Sequence, residues 1–441
     1  MNEPTFWDNE PIRMTIRGGN ESAMRVLLAR GAAVRPPRGP VLVMQLPMRP
    51  IWDRIQMSPA YEQRLLSIFR RLIQHDATLA IERDLVHTAA HREQGHYSQA
   101  FIDSYLDLLV DNGASLTAVN GSGSTPLHEA ARWGALCVTD YLCRHVAAAD
   151  IDRGTRYRNE TPLYVAARRI YGSTEASQDV NDQQDERDHA ASEIPIHETN
   201  VRILLRSEAD ICRIPTDTHE DRCYRQLVLP QCTAVLNDIH TEVMAAVNAA
   251  LAPQRSLAAF LMRSLPSLLP HLLQPPGTPL FSPSPAPAGY GPHEAEAIGW
   301  RIAAMCFDQG AASEAIAVNI GIRHSDMARR VCAAVHHFIQ SALYASSNRE
   351  VVGGTANVGG VTVRVPLQCF AIRADSRPHQ VVHTRGRVGV REVVQIARLD
   401  EAARHGIEEG AINKGFNEHL GNVDCQFGGW QQLGRIDERG Q

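Results

Sequence analysis

Lysine is almost absent from this 441-residue chain: of its 44 basic residues, 43 are arginine, and the single lysine is Lys414. Lysine is the acceptor for ubiquitin, so such a chain offers a degradation system hardly any attachment point. Two explanations stand side by side: arginine-rich codon usage, and selection against ubiquitination for an effector delivered into a eukaryotic host cell. Cysteine is sparse and unpatterned. Nine cysteines form no C-x-x-C pair and their number is odd, which favours reduced thiols in a cytoplasmic setting. Cys212, His219, Cys223 and Cys232 lack the closely spaced pairs of a zinc site, so neither metal nor cofactor is expected. Charge is modest too, with 21% charged residues and a net charge of −5, which gives no reason to expect nucleic acid or an anionic membrane as partner. No run of 18 apolar residues occurs, because Arg263, Pro266, Pro270 and His271 interrupt the most apolar stretch, Leu257 to Leu273; no membrane span is expected. The polar segment Met1 to Glu10 shows no secretory signal.

What is present is periodic. Thr125-Pro126-Leu127-His128-Glu129-Ala130-Ala131 recurs as Thr161-Pro162-Leu163-Tyr164-Val165-Ala166-Ala167. Thr is an N-cap that takes up free backbone donors, and Pro at the first helical position loses no hydrogen bond there. The paired alanines permit close helix packing. A second pattern closes the following helix: Val26-Leu27-Leu28-Ala29-Arg30-Gly31-Ala32 matches Leu108-Leu109-Val110-Asp111-Asn112-Gly113-Ala114 and, more weakly, Tyr141 to Ala147. Gly or Asn past the last turn predicts a left-handed cap. Pro126 to Val146 and Pro11 to Gly31 are both 20 residues, and Gly113 to Pro126 is 13, which together make a 33-residue period.

These residues and this period resemble the ankyrin repeat. The resemblance covers about residues 8–215 and gives five units: Pro11 to Val34, Pro50 to Leu79, Asp84 to Leu116, Thr125 to Ala148 and Thr161 to Ile211. The first and second depart most from the pattern. In the second, third and fifth units the distance from the Pro position to the cap grows to 26, 28 and 46 residues, with every insertion between the two helices of a repeat. The largest, Gly172 to Glu193, is polar and acidic and reads as a disordered loop.

An ankyrin stack implies a protein partner held on the concave face formed by the first helices and the preceding hairpin tips. The positions expected to face that partner are Thr88, His91 and Arg92, then Glu129, Arg132 and Trp133, then Val165, Arg168 and Arg169. Trp133 among arginines has hot-spot character. His87 and His128 are read as structural.

Residues 216–263 read as a helical capping segment, with apolar positions such as Ile239, Val243 and Val247 at helical spacing. Residues 264–293 are proline-rich and read as a linker. Residues 294–441 read as a smaller α+β domain. Two helices are expected between Glu294 and Ser346, one burying Ile298, Ile302, Met305 and Cys306 and the other Val331, Val335, Phe338 and Leu343. Strands follow at Val361 to Val365 and Val381 to Val394, then a helix over Arg391 to Glu409. The fold class is thus mainly α: a repeat solenoid, helices, a linker and an α+β domain. The alternative to a pure binding protein is an ankyrin-targeted cysteine-dependent hydrolase or transferase. It would use Cys369 with His379 or His383 and an acid at Asp375 or Glu392, although no glycine elbow flanks Cys369.

Overall fold

The computed structural model describes residues 11–35, 43–47, 56–82, 84–93, 96–179, 183–272, 292–345, 355–358, 361–364 and 390–413. Two compact units divide the chain, residues 1–235 and 236–441.

The first unit is a series of helix pairs. Repeat one consists of α1 (Pro11–Arg17) and α2 (Glu21–Ala29); the second helix of repeat two is α3 (Pro59–His75). Repeat three is α4 (Leu85–Glu93) with α5 (Gln99–Val110), and repeat four is α6 (Pro126–Trp133) with α7 (Leu136–His145), followed by the single turn α8 (Ala148–Ile151). Repeat five is α9 (Pro162–Gln178) with α10 (Gln184–Arg206). The second helices form a continuous row in which α2 packs on α3, α3 on α5, α5 on α7 and α7 on α10; α4, α6 and α9 form the parallel row of first helices. Small residues make the first row possible, since Ala89, Ala90, Ala130, Ala131, Ala166 and Ala167 are all fully buried.

Polar contacts tie neighbouring second helices. The Ser98 amide and hydroxyl donate to Glu62 at 2.7 Å each, the Tyr141 hydroxyl donates to Asp107 at 2.8 Å, and Arg144 bridges Asp140 and Asp103. Left-handed caps sit at Gly31 and Gly113, as expected, and at Glu208, while Val146 ends α7 in extended backbone.

Two expectations need correcting here. Residues 172–178 and 184–193 are helical, so the long insertion is not a loop: it doubles the length of both helices of repeat five. Leu163, Ala166, Ile170 and Ser173 keep one side of α9 buried, and Ala190, His197, Val201 and Leu204 do the same for α10, so the added turns have something to pack on. The proline-rich segment also begins as helix, because α11 (His219–Leu272) runs through Pro266 and Pro270; residues 273–291 lie outside the described residues.

Within the first unit the start of α11 covers repeat five. The Tyr164 hydroxyl donates to Asp221 at 3.0 Å, the Tyr224 ring meets Tyr164 and Tyr171 edge-on, and Arg202 donates to Gln231 at 2.6 Å.

In the second unit, Leu236, Ile239, Val243, Val247 and Leu251 bury one stripe of α11. Three helices, not two, precede the hairpin: α12 (Pro292–Met305), α13 (Gln309–Asn319) and α14 (Asp326–Ala345). Val331, Val335, Phe338 and Leu343 are buried as expected. On α12 the buried side is instead Trp300 and Ala303, while Met305 and Cys306 are exposed. Trp300 decides the phase, since its indole is buried and donates to the Leu343 carbonyl at 3.1 Å. Among the described residues, strands β1 (Thr355–Val358) and β2 (Val361–Arg364) pair only with each other, and residues 390–394 belong to α15 (Val390–His405) rather than to a strand. The expected α+β domain is not supported: the described part is helical apart from that hairpin. Arg398 of α15 is fully buried and bound by neutral acceptors, among them the Leu236 carbonyl at 2.6 Å and the Asn413 side chain at 2.6 Å. Burial pushes its pKa down to about 10.

Candidate partner-binding face

The first-helix row is set by a ladder of imidazoles. The Thr125 amide donates to His128 Nδ1 at 3.1 Å, which makes that nitrogen the acceptor and leaves Nε2–H to donate to the Glu160 carbonyl at 2.8 Å. Glu160 precedes Thr161, the N-cap of the next repeat. One repeat earlier, His87 Nε2 bonds the Ser124 carbonyl at 3.0 Å, and Ser124 precedes Thr125. Both carbonyls also close their own hairpin tips, taking Thr155 and Asn120 amides respectively, each at 2.9 Å. Burial lowers the pKa of both histidines, so both rings stay neutral, as the ladder requires. The structural reading of His87 and His128 therefore holds.

The tips themselves are joined. The Arg156 amide donates to the Gly123 carbonyl at 3.1 Å, and Gly123 has φ of +80°. A Cβ there would lie 2.7 Å from Arg156 Cβ, so only glycine permits this approach.

The nine residues expected on the binding face divide. Trp133 is 40% exposed, and its ring lies 4.4 Å from that of His91, whose pKa is lowered by burial and then by Arg92. Arg132 lies beside it, 3.6 Å from Glu129. Arg168 donates to Glu160 at 2.9 Å and lies over the Tyr164 ring. Arg92 and Thr88 are half-buried on α4, with the Thr88 hydroxyl donating into its own helix at Leu85. Two of the nine positions are less open than the repeat register suggests, and a third is drawn to a neighbouring helix. Val165 is fully buried core; Glu129 is nearly so and accepts from Asn120 at 3.3 Å. Arg169 turns to Glu193 of α10, at 3.5 Å, because the lengthened second helix supplies a carboxylate there. Cys369, His379, His383 and Asp375 lie outside the described residues, as does Lys414.

None of the nine expected residues lies on a hairpin tip. Tyr157 is 70% exposed between Arg156, whose guanidinium lies 6.0 Å from the ring centre, and Arg158, which is 3.7 Å from Glu160. The available signal was an aromatic residue flanked by arginines between two helix pairs. Such a residue has no core to enter.

Residues 86–142 match the family model for ankyrin repeats (many copies). No curated protein matches the chain. No described helix is long and apolar enough to cross a membrane.

Proposed function

Because the chain carries ankyrin repeats, which mark a protein–protein interaction module, we propose that it binds a protein partner through the first-helix and hairpin-tip face of repeats three to five. The observation that carries this reading is the pair of exposed aromatics, Trp133 and Tyr157, on a scaffold otherwise closed by the histidine ladder. Aromatic rings held on rigid elements bury large area at small entropic cost, which is the character of interface anchors. Arg132 and Arg168 flank them, each fixed by a glutamate.

The scarcity of lysine supports a setting inside a eukaryotic host cell, where an effector with a single lysine as ubiquitin acceptor would persist. Restoring lysine at exposed arginines such as Arg17 and Arg158 and following the half-life in eukaryotic cells tests that setting; an unchanged half-life removes it.

The binding face is tested by affinity purification from eukaryotic lysate with the full chain and a Trp133→Ala/Tyr157→Ala variant of unchanged melting behaviour. A partner retained by the first and lost from the second supports the face. The same partners on both would place recognition elsewhere.

A further inference from the structure

The charges around the two aromatics are unequal. Arg132, Arg156, Arg158 and Arg168 stand against two carboxylates, Glu129 and Glu160. Glu160 is shared by Arg158 and Arg168, Glu129 takes Arg132, and Arg156 only overlies Tyr157. Arg132 and Glu129 balance beside Trp133, whereas Arg156, Arg158 and Arg168 against Glu160 leave two positive charges beside Tyr157, in a chain whose net charge is −5.

We infer that the segment recognised by this face is an acidic stretch of polypeptide with at least one apolar or aromatic anchor. This rests on the proposed binding face and specifies its occupant. Guanidinium forks match carboxylates two bonds at a time, and a face that retains excess guanidinium in an acidic protein favours acidic partners and disfavours basic ones. The aromatics need a counterpart that carboxylates cannot supply. Trp133 meets the His91 ring at a tilt of 50° and Tyr157 stands out of the tip, so an apolar side chain seated against either ring removes that ring from water. A polypeptide is preferred to nucleic acid because Glu129 and Glu160 sit within the same face and would repel a continuous phosphate backbone, whereas an acidic peptide can place its charges between them.

The test is selection of a random-peptide phage library on the full chain, with counter-selection on an Arg156→Glu/Arg158→Glu variant and, separately, on Trp133→Ala. Melting curves of both variants confirm folding. The expected winners are rich in Asp and Glu around one aromatic or aliphatic residue. Their synthetic forms bind about tenfold more weakly to either variant, and more weakly as salt is raised. Winners that are neutral or basic yet still lost on both variants would overturn the acidic occupant and leave the binding face standing. Winners indifferent to both variants would overturn the face and the occupant together. A single-stranded oligonucleotide that outcompetes the selected peptides would overturn the choice of polypeptide.

Discussion

Repeats four and five begin from the same seven-residue pattern and finish differently. In repeat four the helices are 8 and 10 residues long, while in repeat five they are 17 and 23. At the third helical position repeat four has His128, whose ring reaches the backbone ahead of the next repeat; repeat five has Tyr164, whose hydroxyl reaches Asp221 of α11 instead. What varies is therefore the reach of one side chain, and it varies with what comes next. An imidazole spans the short distance to another hairpin, and a phenol suits the side chain of a covering helix. The Thr-Pro-Leu pattern fixes the start of a first helix, while its length and its neighbour are decided by the element packed behind it.

Acid should erase the comparison by loosening both repeats. His87, His128 and His197 all have pKa values lowered chiefly by burial, that of His197 to about 4. The unfolded chain then binds more protons than the folded one once pH drops below about 6.5, so stability rises with pH across that range. The stack should hold its full stability above pH 6.5 and lose it steadily towards pH 4. Urea midpoints measured at several pH values check this, and a flat profile from pH 7 to 4.5 would contradict it. Arg169 adds to the effect at His197 by opposing its protonation, while Glu193 opposes Arg169.

Breaking the ladder at one rung should have the next largest effect. His128→Ala leaves the buried Thr125 amide without its acceptor, empties a fully buried site and removes the link to Glu160. A loss of about 2–4 kcal/mol is expected. Tyr164→Phe removes only one bond to Asp221, whose carboxylate still accepts from the Thr218 hydroxyl at 2.7 Å, and should cost less. Equal losses for the two variants would mean that the ladder has no special place in the stack.

How much of this was legible follows the same division. Thr125, Pro126, Thr161 and Pro162 could be read because their effect is local: an N-cap and a first-turn proline act on the next few residues. Trp133 and Arg132 were legible through the 33-residue register, which carries one repeat's geometry to the next. Val165 was misplaced by that same register, because in repeat five the position is buried. The polar insertion was misread because composition alone takes Gln184 to Glu193 as too hydrophilic to fold. The residues that bury it, Ile170 and Ser173 on α9 and Ala190 and His197 on α10, are spread thinly enough to escape a short window. Tyr157 was missed for the opposite reason: no core surrounds it, and periodicity is blind to what has no core.

The turn of repeat four is the point where its short helices meet the long α10. Gly134 ends α6 with φ of +65°, and a Cβ on it would come within 2.9 Å of Ile196 Cγ2 and 3.2 Å of His197 Cε1. Gly134→Ala should therefore cost about 1–3 kcal/mol, partly from the left-handed backbone and partly from overpacking against α10. Shortening Ile196 in the same chain should recover the second part only. Full recovery by Ile196→Ala in the double variant would show that backbone conformation contributes nothing.

The smallest effect should be a gain, at the far end of repeat five. Gly31 and Gly113 close their second helices in the left-handed region at no steric cost, but Glu208 adopts φ of +75° with a side chain in place. Its amide and that of Ala209 make the same pair of bonds to Leu205 and Leu204 that the glycine caps make, so the strain is retained for the sake of the cap. Glu208→Gly should raise stability by about 0.5–1 kcal/mol. Charge offers a competing route, because Glu208 is one of the acids that, after burial itself, push the Asp152 carboxyl up, and Asp152 accepts the Asp210 amide at 3.1 Å. Glu208→Ala separates the two, since it removes the charge and keeps the strained backbone. A rise in thermal midpoint for glycine alone assigns the gain to conformation. Equal rises for both would assign it to the acidic cluster and remove repeat five's cap from the set of strained positions.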